Sequence, residues 1–155
     1  KFLIVFKESS VGYGIVGTIS GTSVSYAGKA RIDGGSTYYG HAGLAYDANA
    51  AAMVLCFYDS STGAEATVST ISGTTITTGT SVSFGSSTAD YVLDITYDST
   101  AQKIITCWQN GASSDHLNLA VGTVSGTSIS FGSALNTGLS TNGNATIHTV
   151  LVLHM

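Results

Sequence analysis

The sequence predicts an all-β fold built from repeated four-stranded sheets, and three observations carry that prediction. First, the chain repeats itself: GTSVSY at 21–26 returns as GTTITT at 73–78 and as GTSISF at 126–131. LAYD at 44–47 returns as ITYD at 95–98, and FLIVF at 2–6 returns as MVLCF at 53–57 and IITCW at 104–108. Second, three periods of about 51 residues nearly exhaust the 155-residue chain, and periods of 20–50 residues or slightly more mark solenoids and propellers. Third, each period is dense in β-branched and apolar residues punctuated by turn formers. It lacks the three- and four-residue apolar spacing of a helix. Four antiparallel strands in about 50 residues make one blade of a β-propeller.

The copy that starts at Tyr91 shows the elements in order. Strand one covers about 91–97. Asp98 opens the turn that follows, because a carboxylate there can bond backbone N–H groups further on. Strand two, 103–109, is apolar on both faces and belongs inside a sheet. Strand three is about 116–124. Ser125 and Gly126 make a tight hairpin, the glycine supplying positive φ. Strand four, 127–131, alternates polar and apolar as a half-exposed outer strand does, and a loop leads to the next copy. GTSVSF at 79–84 also resembles 126–131, which predicts a short insertion near the outer hairpin of the preceding copy.

This phase divides the single repeat domain, 1–155, into parts. Residues 1–26 are strands two to four of a split blade, 27–78 a second blade, 79–131 a third, and 132–155 the closing region of the split blade. Strand one of that blade is expected near 145–155. In this last copy Thr149 replaces Asp98 and the hairpin signal is lost. Three blades are too few for a ring, four to eight being usual. Either copies of the chain combine, as a homodimer or higher homo-oligomer, or the chain is a piece of a longer propeller. Closed symmetry favours the homo-oligomer. A β-sandwich is the rival architecture, but it leaves the period unexplained.

Composition narrows the function. Charged residues are 9% of the chain, against roughly 25% in an ordinary domain. Glycine, serine and threonine fill the gap, and proline is absent. Such an uncharged polar surface fits an extracellular or virion-surface protein. The net charge is −4 with no basic cluster, which argues against nucleic acid. No apolar run reaches 18 residues, so no membrane insertion is expected. Cys56 and Cys107 fill one repeat position, held by Val5 in the first copy, and read as small buried apolar residues rather than a disulfide. No cofactor or metal is expected. GYGIVG at 12–17 matches a dinucleotide fingerprint only on paper, since it lies in a strand followed by another strand. His41, His116, His148 and His154 occupy unrelated repeat positions. NAT at 144–146 is a glycosylation sequon with meaning only in a secreted eukaryotic context.

The candidate ligand-binding residues are Glu8, Asp59, Asn110, Trp108, Tyr13, Tyr38, Tyr39 and Tyr91. Glu8, Asp59 and Asn110 are equivalent, each just after strand two. Carboxylates repeated on one rim could hold calcium or sugar hydroxyls, although turn formation is the commoner use. Phe6, Phe57 and Trp108 share an aromatic position, read as inter-blade core or, for Trp108, as a sugar-stacking face. The tyrosines suit an adaptable, charge-poor recognition surface.

GTVSGTSISFG at 122–132, with YDSTAQK at 97–103, resembles repeats of tailed-bacteriophage structural proteins and of long repeat proteins from aquatic viruses and microbes. The resemblance covers essentially the whole chain. It implies a virion-appendage or surface protein, with host attachment as its role, and it supplies no catalytic motif. Three functions follow in order: a non-enzymatic module recognising a glycan or cell-surface receptor; a structural decoration or scaffold unit bound to other virion proteins; and a glycosidase-like propeller enzyme. The last needs paired carboxylates flanking a cleft, and the nine acidic residues fall mostly at turns. The chain is therefore not expected to be an enzyme.

Overall fold

In a computed structural model the described residues are 1–35, 42–85 and 90–141, with the side chains of 90–93 excepted. The chain is all-β. Its strands form three antiparallel sheets, none of them closed. The first sheet holds β1 (Phe2–Glu8), β2 (Val11–Ser20), β3 (Ser23–Tyr26) and β4 (Ala30–Arg31). The second holds β5 (Gly43–Asp47), β6 (Ala52–Asp59), β7 (Gly63–Ser72), β8 (Thr75–Thr78) and β9 (Val82–Ser83). The third holds β10 (Asp90–Asp98), β11 (Lys103–Asn110), β12 (His116–Ser125), β13 (Ser128–Phe131) and β14 (Leu135–Ser140).

The three sheets share one plan. β6 and β11 lie inside their sheets, as two-faced apolar strands should. β1 is their equivalent, and among the described residues it pairs with β2 alone. The region expected to supply its missing neighbour, 145–155, lies outside the described residues. The hairpins at Gly21, Gly73 and Gly126 are three versions of one turn. Each has a two-residue loop with glycine first, at φ 59°, 61° and 59°, the conformation that glycine adopts without steric cost.

The outer strand departs from the sequence expectation. In every sheet it is broken into two pieces that pair with successive halves of the same neighbour: β3 and β4 with β2, β8 and β9 with β7, β13 and β14 with β12. A backbone bond marks each break, from Ala27 N to Val16 O, Gly79 N to Val68 O and Gly132 N to Val121 O, at 3.0–3.1 Å. The sheets therefore end at Arg31, Ser83 and Ser140. This also corrects the expected insertion. Residues 79–84 are not a second outer hairpin but the run into the second piece, and the break has the same length in all three sheets.

The sheets stack face to face, the second in the middle. Alternation along a strand sends successive side chains to opposite faces. On the second sheet Val54, Cys56, Ala64, Ala66 and Val68 pack against Ile104, Trp108, Ala120 and Ile129 of the third. On its other face, Leu55, Phe57 and Ile76 pack with Ile32 and Val5 at the first sheet. We call the first of these the forward face and the second the back face. By register, Leu3, Val5, Gly12, Gly14 and Val16 make the forward face of the first sheet, and Ile105, Cys107, Leu117, Leu119 and Val121 that of the third. Each junction thus joins a forward face to the next back face. Polar ties cross both: Thr67 Oγ1 donates to Ile32 O at 2.8 Å, and Asn49 N to the Tyr97 hydroxyl at 3.2 Å. At Gly79 a Cβ would lie 1.9 Å from Thr127 O, so only glycine lets the second sheet's outer edge come this close to the third.

Candidate functional site

Glu8, Asp59 and Asn110 end β1, β6 and β11, so the structure places them at equivalent points of one rim. Their surroundings differ. Asp59 is buried, and its carboxylate accepts from Ser61 N at 2.7 Å and Thr62 N at 3.3 Å. Asn110 is buried and caps the short 3₁₀ turn Gly111–Ser113, accepting from Ala112 N at 3.0 Å. Both hold turns together, the role short polar side chains take at such positions. Asp47 and Asp98 do the same for Ala50 N and for Thr100 N and Ala101 N. Glu8 alone is exposed, and its carboxylate pairs with Lys29.

Trp108 is buried between the second and third sheets, its ring edge-on to Phe84 at 5.1 Å. It presents no stacking face to solvent, and the shared aromatic position is junction core at both Phe57 and Trp108. Tyr38 and Tyr39 lie outside the described residues. Tyr91 is in β10, opposite Gln109, and its side chain is not described. The cysteines are free and buried. Burial pushes the Cys56 thiol up to about 12 and the Cys107 thiol up to about 11, so both stay neutral and unreactive near neutral pH.

Tyr13 stands apart. It is half-buried on the back face of the first sheet, opposite Phe6 in register, with ring centroids 6.0 Å apart. Lys29 Nζ lies 4.4 Å from the centre of the Tyr13 ring, an attractive cation–π placement. The hydrogen bond that Lys29 donates to the Glu8 carboxylate, ahead of charge attraction, raises the ammonium above its ordinary range. Arg31 sits directly across from Tyr13 on β4, and its guanidinium is raised by the hydrogen bond to Asp33.

Sequence reasoning passed over Asp33, which positions this cluster. Its buried carboxylate accepts from Gly12 N at 2.9 Å, from Gly35 N at 3.1 Å and from Arg31 Nε. It ties the turn after β4 to the start of β2 and fixes Arg31 beside Tyr13. Its only sequence sign is Asp33 ahead of Gly34 and Gly35, which reads as an ordinary turn.

The cluster thus joins two aromatic rings, two cations and an exposed carboxylate on a sheet face that no other described sheet covers. Such a surface stacks against the apolar face of a flat or ring-shaped group while bonding its hydroxyls. At the opposite end of the first sheet, a cleft of about 490 Å³ opens toward the second, lined by Lys1, Leu3, Val16, Tyr46, Met53 and Ile71. It is mainly apolar, and Lys1 Nζ there donates to Gly73 O at 2.6 Å. Among the described residues no three His, Cys, Asp or Glu side chains group as metal ligands, and no helix is long and apolar enough to cross a membrane. No protein-family model matches the chain, and neither a curated protein nor a solved structure matches it significantly.

Proposed function

We propose that this chain is a non-enzymatic recognition module, built of propeller-type blades, that contacts a glycan or cell-surface receptor from the surface of a virion or cell. The observation that carries the reading is the Tyr13 cluster: Phe6 at 6.0 Å, Lys29 at 4.4 Å from the ring centre and the Glu8 carboxylate beyond it. Aromatic rings beside charged, hydrogen-bonding groups suit a sugar ring, which offers one apolar face and a rim of hydroxyls. The propeller reading is supported by the recurrence of one sheet plan and one junction type. Placement on a virion rests on the resemblance of 97–103 and 122–132 to phage structural repeats.

A glycan array followed by NMR titration tests the role. Binding that shifts Tyr13 and Lys29 resonances and is lost in Tyr13→Ala supports it. A blank array, together with no binding to cells at high concentration, overturns it in favour of a purely structural unit of a particle.

A further inference from the structure

We propose that the two end faces of the stack, each partly exposed, are the two halves of one interface between copies of this chain. The forward face of the third sheet in one copy packs on the back face of the first sheet in a second copy. It does not rest on the recognition role proposed above and competes with it. Phe57, the equivalent of Phe6 at the internal junction, is fully buried, so a copy seated there covers the Tyr13 cluster.

The chain itself contains this interface twice. Its first sheet meets the second, and its second meets the third, through a forward face and a back face each time. The two faces left over are the missing partners of that same junction. On the back face of the first sheet, Ile4 is 46% exposed, whereas its equivalent Leu55 is 3% exposed. Ile19, Val24 and Tyr26 extend the apolar field on that face, all three more than half exposed. On the forward face of the third sheet, Val121 is 50% exposed, whereas its equivalent Val68 is fully buried. Ile105, Leu117 and Leu119 lie half-buried around it. An apolar field of this extent on two opposite faces is unusual for a chain that stays single.

On the forward face of the third sheet Asp94 lies opposite Cys107, and Lys103 donates to Thr123 Oγ1 at 3.0 Å. The charged groups of the first back face, Glu8, Lys29 and Arg31, lie at the Glu8 end, away from Ile19 and Val24. Junctions of this kind accept charge: Glu65 is buried on the back face of the second sheet, opposite Phe57. Because the two halves differ, the contact is heterologous: it closes into a ring or continues from copy to copy.

Light scattering after size exclusion tests the proposal on four samples: wild type, Ile4→Lys, Val24→Lys and Val121→Glu. These sites are exposed, so folding should survive, and circular dichroism checks this. The expected result is a wild-type mass of twice 15.8 kDa or a higher multiple. Each variant should fall to a single chain at concentrations where the wild type is fully assembled. An equimolar mixture of Ile4→Lys and Val121→Glu should reassemble, since each retains the half that the other lacks and the altered faces carry opposite charge. A wild-type mass of 15.8 kDa at every concentration overturns the proposal, and so does an assembly that none of the substitutions disturbs. Reassembly that fails in the mixture, where the single variants dissociate, overturns the heterologous pairing.

Discussion

The middle sheet and the first sheet are built on one plan, yet they live in different surroundings. On the back face of the middle one Leu55 and Phe57, the equivalents of Ile4 and Phe6, are buried. On the back face of the first, Ile4, Ile19 and Val24 stand exposed. Strand pattern and register are the same; neighbours are not. Burial in a repeat protein is thus a property of the junction rather than of the repeat, as expected where each unit touches only those beside it.

The sharpest way to break this comparison is to truncate one repeat position in both sheets. Phe57→Ala, at a fully buried ring, should cost about 3–5 kcal/mol. Phe6→Ala, at the half-buried equivalent, should cost roughly 1 kcal/mol in the single chain. Denaturant melts at low protein concentration measure both. Equal losses would mean that the first sheet's back face is already covered.

Alkaline stability sharpens the contrast next. Cys56 has its thiol raised from 9.0 to about 12, chiefly by burial, while Val5 holds the same position in the first sheet. The folded state therefore keeps a proton that the unfolded chain releases. This contribution is intact below pH 9 and is lost as pH climbs toward 12. Cys56→Val should flatten the decline in stability between those limits, and thermal melts across pH 8 to 11 follow it. A decline of unchanged slope would assign it to other groups.

The smallest effect concerns two turns. Ala51 and Gln102 occupy the same turn position in the second and third sheets, with φ of 51° and 55°. A left-handed conformation costs an L-residue roughly 1–2 kcal/mol, so Ala51→Gly and Gln102→Gly should each stabilise by about 0.5–1 kcal/mol. Gains of different size in the two sheets would show that the turns are not energetically equivalent.

Most of each sheet was legible in the sequence, because period-two patterning and the recurring glycine hairpins leave little freedom in register. The second outer piece was not. Ala30–Arg31 and Val82–Ser83 are two residues long, too short to carry a pattern, so their pairing comes from the edge they complete. The rim was legible as a position but not as a chemistry. Glu8, Asp59 and Asn110 align, yet the turns after them have two, three and five residues. The longer turns present backbone N–H groups to Asp59 and Asn110, which leaves only Glu8 facing outward. Tyr13 was named as a candidate from composition, but Asp33, which holds Arg31 beside it, works through a fold-dependent contact across 21 residues to Gly12.

The break in each outer strand bears on aggregation. A long, flat edge offers a template onto which another chain can zip, and proteins usually blunt it with charge or proline. This chain has 9% charged residues and no proline. Its outermost strands are instead cut into pieces of four residues followed by two or six, each pinned by a backbone bond at Ala27, Gly79 or Gly132. No outer piece exceeds six residues, which shortens the template that these edges of the sheets offer to another chain.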